Sequence, residues 1–414
     1  MFEQSPLALC EAPALTRRRL LGFSGALVAS AFIPKFARAA DGRDPRFIAI
    51  ILRGAMDGMS AVAPEGDPDY AALHGDLALT SSGDNGGIAL DSFFTLNPAM
   101  TNFARLYQKG QAAVIHAAAT GYRERSHFDG QDVLKSGYAG PGHTDSGWLN
   151  RAIAMLPQGQ RVGKPSSLAV GSTAPLIIRG QAETLGWAPT NLPDPGADFN
   201  KRLLDLYAHT NPQLGNLLSA GLSAQTIANG QSSMAKNPAD RLGQMAAQAR
   251  GAARIMSADD GPRIAAMAFD GWDTHENEGG AKGRLFNLLT ELDSALAELE
   301  AGLGEAAWAQ TSVVVMTEFG RTAAINGTEG TDHGTGTLSF LAGGAIKGGR
   351  VISDWPGLKT AQLYEGRDLK PTTDVRAVLK GLLTDHLGLN EQTLASTIFP
   401  DSSGVKPMKG LIAA

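Results

Sequence analysis

Residues 46–58 read RFIAIILRGAMDG. Arg46–Leu52 is a short, unbroken apolar run rich in isoleucine, and it stops at Arg53-Gly54. A run that is apolar at every position, rather than at alternate ones, is the pattern of a strand covered on both faces. Ala113–Ala118, Ser167–Gly171, Leu176–Ile178, Ile264–Phe269, Ser312–Met316 and Leu338–Leu341 continue the series. Helical patterns lie between them. In Gly283–Leu303, Leu285, Leu288, Leu289, Leu292, Leu296, Leu299 and Leu303 recur at spacings of three and four, and Glu291, Asp293, Glu298 and Glu300 take the other face. Asp374–Leu387 carries Val375, Val378, Leu379, Leu382 and Leu383 on one face, with Thr373 as its expected N-cap. Between Pro193 and Asp260 the strand signal stops, and an Ala-, Gln- and Leu-rich composition predicts a helical insertion packed on the sheet. Pro356–Pro371 predicts a loop. The expected fold class is α/β: a mainly parallel sheet with helices on both faces, in one domain spanning residues 40–414.

Composition fits a large folded core. The chain has 414 residues, 43% of them hydrophobic, and no low-complexity run. Its formal net charge is −5, with no basic surplus of the kind that marks a nucleic-acid partner. Fifty glycines without a three-residue repeat exclude a collagen and point to tight turns.

Residues 1–39 read as a leader. Thr16-Arg17-Arg18-Arg19-Leu20-Leu21 precedes an apolar stretch from Leu20 to Ile33, and Ala37-Arg38-Ala39 forms a small-residue cleavage site before Ala40. The apolar stretch is shorter than the ~20 residues of an ordinary membrane span. The arginine pair resembles the twin-arginine signal, an address read by a receptor, so the expected first partner is the twin-arginine translocase. The other reading is a chance basic stretch. The expected location is periplasmic or secreted, in a bacterium, with no membrane span in the mature protein. Cleavage would remove five basic residues, two acids and Cys10, the only cysteine. The mature chain would then have no disulfide, thiolate ligand or cysteine nucleophile.

In open α/β sheets, ligands bind beyond the carboxyl ends of the strands. Four of these ends are polar here. The first is Arg53-Gly54-Ala55-Met56-Asp57-Gly58. The second is Tyr122-Arg123-Glu124-Arg125-Ser126-His127-Phe128-Asp129, which opens a predicted helix over Phe128–Lys135. The third is Asp270-Gly271-Trp272-Asp273-Thr274-His275. The fourth is Thr317-Glu318-Phe319-Gly320-Arg321-Thr322, leading to Thr331-Asp332-His333-Gly334. Carboxylates with a few imidazoles suit a divalent metal. The alternative is that these acids cap helices and pair with Arg53, Arg123, Arg125 and Arg321. Ser126 before a helix is either an N-cap or a nucleophile favoured by the helix N-terminus. His127 reads as a ligand, a base or a structural residue. His116, inside a strand, reads as a hydrogen-bonded core histidine.

Five motifs, LRGAMDG (52–58), RSHFDG (125–130), FDGWDTHENEG (269–279), VVVMTEFGRT (313–322) and TDHGTGTLSFLAGGAIKGG (331–349), resemble the domain of unknown function 1501 family. That family resembles the alkaline phosphatase and sulfatase superfamily. The resemblance implies an alkaline-phosphatase-like fold over roughly residues 46–412 and an exported metal-dependent hydrolase acting on a phosphate or sulfate ester. It implies Ser126 as the nucleophile and Asp57, Asp273, His275, Glu318 and His333 as metal ligands. The superfamily's usual Asp-His pair stands here as Glu318-Phe319. One imidazole is therefore missing, and either His127 substitutes or the second site is empty. The site expected to form best is Asp273, His275 and His333, holding Zn or Mn ahead of Mg or Ca. The resemblance also implies a partner from family 1800. The alternative function is a noncatalytic secreted binding or assembly protein on the same scaffold.

Overall fold

The computed structural model describes residues 43–83, 85–156, 167–189, 197–229 and 243–413. The leader read over residues 1–39 lies outside the described residues.

The central sheet has nine strands: β1 Arg46–Leu52, β2 Ala112–Ala119, β3 Ser167–Val170, β4 Leu185–Trp187, β5 Ile264–Phe269, β6 Thr311–Thr317, β7 Thr337–Ala342, β8 Arg350–Ile352 and β9 Thr373–Asp374. Their order is β8-β2-β7-β6-β1-β5-β3-β4, with β9 paired to β2. β1 runs parallel to both neighbours, Ile50 lying opposite Met267 on one side and Val315 on the other. β7 is the one inverted strand of this sheet, antiparallel to β2 and β6. The sheet is therefore mixed but mainly parallel.

Every residue of β1 is buried, and the pleat explains why. Ile48, Ile50 and Leu52 point to one core, Phe47, Ala49 and Ile51 to the other. The first core is closed by α1 (Thr101–Gln108), by α7 (Arg284–Trp308), whose Leu285, Leu289, Leu292, Leu296 and Leu299 form the expected stripe, and by α6 (Gln244–Ser257). The second is closed by α3 (Trp148–Met155) and by α8 (Val375–Asp385), through Val378, Leu379, Leu382 and Leu383. Helices thus cover both faces.

Four expectations change. Asp293, expected on the outer face of α7, is buried, its carboxylate accepting from Asn102 N at 2.9 Å and Phe103 N at 2.8 Å. Leu176–Ile178 is a single 3₁₀ turn after Pro175, not a strand; it is apolar because all three side chains are buried. The edge strand is Leu185–Trp187, too short for its alternation to show in sequence. The cap of α8 is Asp374, whose side chain accepts from Arg376 N, while Thr373 pairs with Ala118. Within 193–260 most of the described residues are helical, as α4 (Ala197–Thr210), α5 (Pro212–Asn229) and α6. Among the described residues, no helix is long and apolar enough to cross a membrane.

Candidate functional site

The polar strand ends meet beyond β1, β5 and β6. Gly54 turns the chain there at φ +121°, and a Cβ on it would lie 2.4 Å from Asp273 N. Only glycine lets the loops after β1 and β5 approach this closely. α2 (His127–Ser136) brings the second polar segment to the same place, after Arg125 at φ +61°.

Three residues, His127, Asp273 and His333, place one ligand atom each within 4.8 Å of the others. His127 Nε2 lies 2.9 Å from His333 Nε2. Asp273 Oδ1 lies 3.5 Å from His127 Nε2 and 3.4 Å from His333 Nε2. Ligands at ~2.0–2.1 Å from a tetrahedral zinc stand about 3.3 Å apart, so this spacing matches one ion's shell. His275 adjoins the set, its Nε2 2.9 Å from His333 Nε2 and 3.1 Å from Asp273 Oδ1.

The far nitrogens fix the tautomers. His127 Nδ1 donates to Glu318 Oε1 at 2.8 Å, and His333 Nδ1 donates to the Arg125 carbonyl at 3.0 Å. In the neutral rings both Nε2 atoms are thereby left as acceptors aimed at each other, the arrangement of metal-binding histidines. The donor set fits a divalent ion: two oriented imidazoles, a third beside them, and one carboxylate. His127 is raised in pKa, first by its bond to Glu318. His333 is lowered, first by burial and then by the nearby His127. Burial opposes the charge on Asp273, but the Arg321 guanidinium outweighs it and holds the carboxyl below its usual range.

Glu318 is fully buried. Besides His127 it accepts from Gly54 N at 2.9 Å, Gln131 Nε2 at 3.2 Å and Thr317 Oγ1 at 3.0 Å. It orients His127 instead of grouping with Asp57. Phe319 stacks on His127, ring centroids 5.0 Å apart, walling the site with carbon.

The structure thus brings together His127, Asp273, His275, Glu318 and His333. Asp57 is engaged by other groups. Asp57 caps the one-turn helix Gly58–Ala61, accepting from Met59 N and Ser60 N, and its Oδ2 lies 3.7 Å from His74 Nε2. Ser126 precedes His127 but caps α2, its Oγ accepting from Asp129 N at 3.5 Å. His116 bonds the Val62 carbonyl at 2.9 Å and is held at about 4, first by burial. Arg321 and Gln131 had no role assigned from sequence; the arginine was visible only as a candidate partner for acids.

The profile described as "Protein of unknown function (DUF1501)" matches residues 44–398. No curated protein matches the chain. Among solved structures, the chain is similar to Ps i-CgsB in complex with k-i-k-neocarrahexaose, at 13% identity, 88% of this chain, 77% of that one and a TM-score of 0.42. It is similar to the PsFucS1 sulfatase from Pseudoalteromonas sp., at 14%, 82%, 69% and 0.36. A TAB5 alkaline phosphatase mutant with Mg bound gives 12%, 73%, 91% and 0.34.

Proposed function

The chain belongs to the DUF1501 family, and from that premise and its own histidine cluster we propose an exported, metal-dependent hydrolase of phosphate or sulfate esters. The observation that carries this reading is the 2.9 Å approach of His127 Nε2 to His333 Nε2, with both Nδ1 atoms committed elsewhere. His127, Asp273 and His333 would hold the ion, with His275 as a fourth donor and Zn or Mn favoured over Mg or Ca. When bound, the ion would supply charge to polarise an ester oxygen or acidify a water. Ser126 would be the nucleophile, at the positive end of α2 and next in sequence to His127. Glu318 would keep His127 in its ligating tautomer.

Export would follow the twin-arginine route. Replacing Arg17 and Arg18 with Lys should then retain the protein in the cytoplasm. Periplasmic accumulation of that variant, with the general secretory route also blocked, would count against a leader.

A second reading has one observation in its favour. Ser126 Oγ is engaged as a helix cap, as in a noncatalytic binding or assembly protein that pairs with a member of family 1800. The experiment is elemental analysis of the exported protein, followed by assay on p-nitrophenyl phosphate and p-nitrophenyl sulfate. Bound metal with turnover supports the hydrolase. Bound metal without turnover favours the second reading, and absence of metal defeats the first.

A further inference from the structure

Arg321 is one of the largest fully buried side chains, 1% exposed. Its Nε donates to the Ala55 carbonyl at 2.7 Å. Nη2 donates to Gly54 O at 2.7 Å and Trp272 O at 3.1 Å, and Nη1 to Thr331 O at 3.3 Å. These carbonyls belong to three loops: after β1, after β5 and before β7. Neutral carbonyls do not cancel a buried charge. The counter-charge is Asp273, whose Oδ1 accepts from Nη2 at 2.5 Å. The same oxygen stands 3.1 Å from His275 Nε2, 3.4 Å from His333 Nε2 and 3.5 Å from His127 Nε2.

We infer that Arg321 is a positioning residue for this cluster: it aims Asp273 Oδ1 at the imidazoles while occupying one of that oxygen's lone-pair directions. Oδ1 then offers a divalent ion its one remaining lone-pair direction. Such a carboxylate beside imidazoles suits a small ion that accepts nitrogen, and disfavours a large ion that needs six to eight oxygens. A lysine could supply the charge but not the fork that ties three loops.

The inference rests on the metal reading above, and the test separates the two. Zn²⁺ and Ca²⁺ affinities of the whole protein are measured by chelator competition for wild type and Arg321→Lys, with near-ultraviolet circular dichroism as the check on folding. The expected result is a folded variant with Zn²⁺ affinity lowered ~10–100-fold and a narrowed Zn²⁺/Ca²⁺ preference. A folded variant with wild-type affinities for both ions overturns the role of Arg321 alone. A wild type that binds neither ion overturns the metal reading and this inference with it. Should Arg321→Lys fail to fold, Asp273→Glu carries the test. It keeps the counter-charge of Arg321, but its extra methylene moves the carboxylate oxygen from the position that Arg321 sets beside the three imidazoles. Zn²⁺ affinity should then fall by about tenfold or more. A folded variant that loses less than about tenfold would show that the placement of this oxygen does not matter, which overturns the inference.

Discussion

His127 Nε2 and His333 Nε2 face each other at 2.9 Å, each ring having spent its other nitrogen on a fixed acceptor. Two lone pairs at that distance repel unless a proton or a cation lies between them. Zn²⁺ should therefore stabilise the protein. At a free concentration of 100 times Kd the gain is about 2.7 kcal/mol, read as a rise in melting temperature. His333→Ala and His127→Ala should each lose that rise. An equal rise in both variants would place the ion elsewhere.

Glu318 sets the ring of His127 from a fully buried position. Glu318→Ala strips an acceptor from His127 Nδ1, Gly54 N and Gln131 Nε2 together. Metal affinity should fall ~10–100-fold, and each stranded donor should cost about 1–3 kcal/mol of stability. Glu318→Gln keeps one acceptor oxygen and should lose less of both. Isothermal titration with Zn²⁺ and urea unfolding read the two effects. Equal metal affinity in wild type and the Ala variant would sink the orienting role.

Much of this was legible because β1 is buried on both faces, so that RFIAIIL carries its own assignment. The inverted direction of β7 was not, since an apolar run reads alike both ways. Leu176–Ile178 misled because burial alone, without length, does not separate a strand from a 3₁₀ turn. In the site, Asp273, His275, Glu318 and His333 stood out as polar groups at strand ends. Asp57 carried the same signal, yet its carboxylate is taken by the free N–H groups of the next turn. Arg321 was hidden for a different reason: an arginine's sequence does not reveal whether it lies on the surface or under three loops.

Ser126 separates the two functional readings. Its Oγ accepts from Asp129 N at 3.5 Å, a long bond for a cap. Ser126→Ala should therefore cost about 1 kcal/mol or less of stability. If Ser126 is the nucleophile, the same variant should lose hydrolysis while binding Zn²⁺ as wild type does. Retained hydrolysis would leave Ser126 a cap and nothing more.

Asp57 and Glu278, both buried, titrate in opposite directions. Burial, reinforced by the charge of Asp57, pushes Glu278 well above its ordinary 4.5. Burial also opposes ionisation of Asp57, but its interaction with His74, whose Nε2 lies 3.7 Å away, followed by contacts to Glu278 and Ser60, holds it at about 2 against an ordinary 3.8. Asp57's stabilising contribution is thus present above pH 3.8 and lost as pH falls toward about 2. Glu278's is present below pH 4.5 and is lost as pH rises above that value through its raised folded pKa. Glu278→Gln keeps a neutral side chain at every pH, so it should flatten the alkaline decline and leave the acid one in place. Urea unfolding from acid to alkaline pH, wild type beside Glu278→Gln, reads the difference. Stability curves that stay parallel above pH 4.5 would show that Glu278 is not protonated in the folded protein.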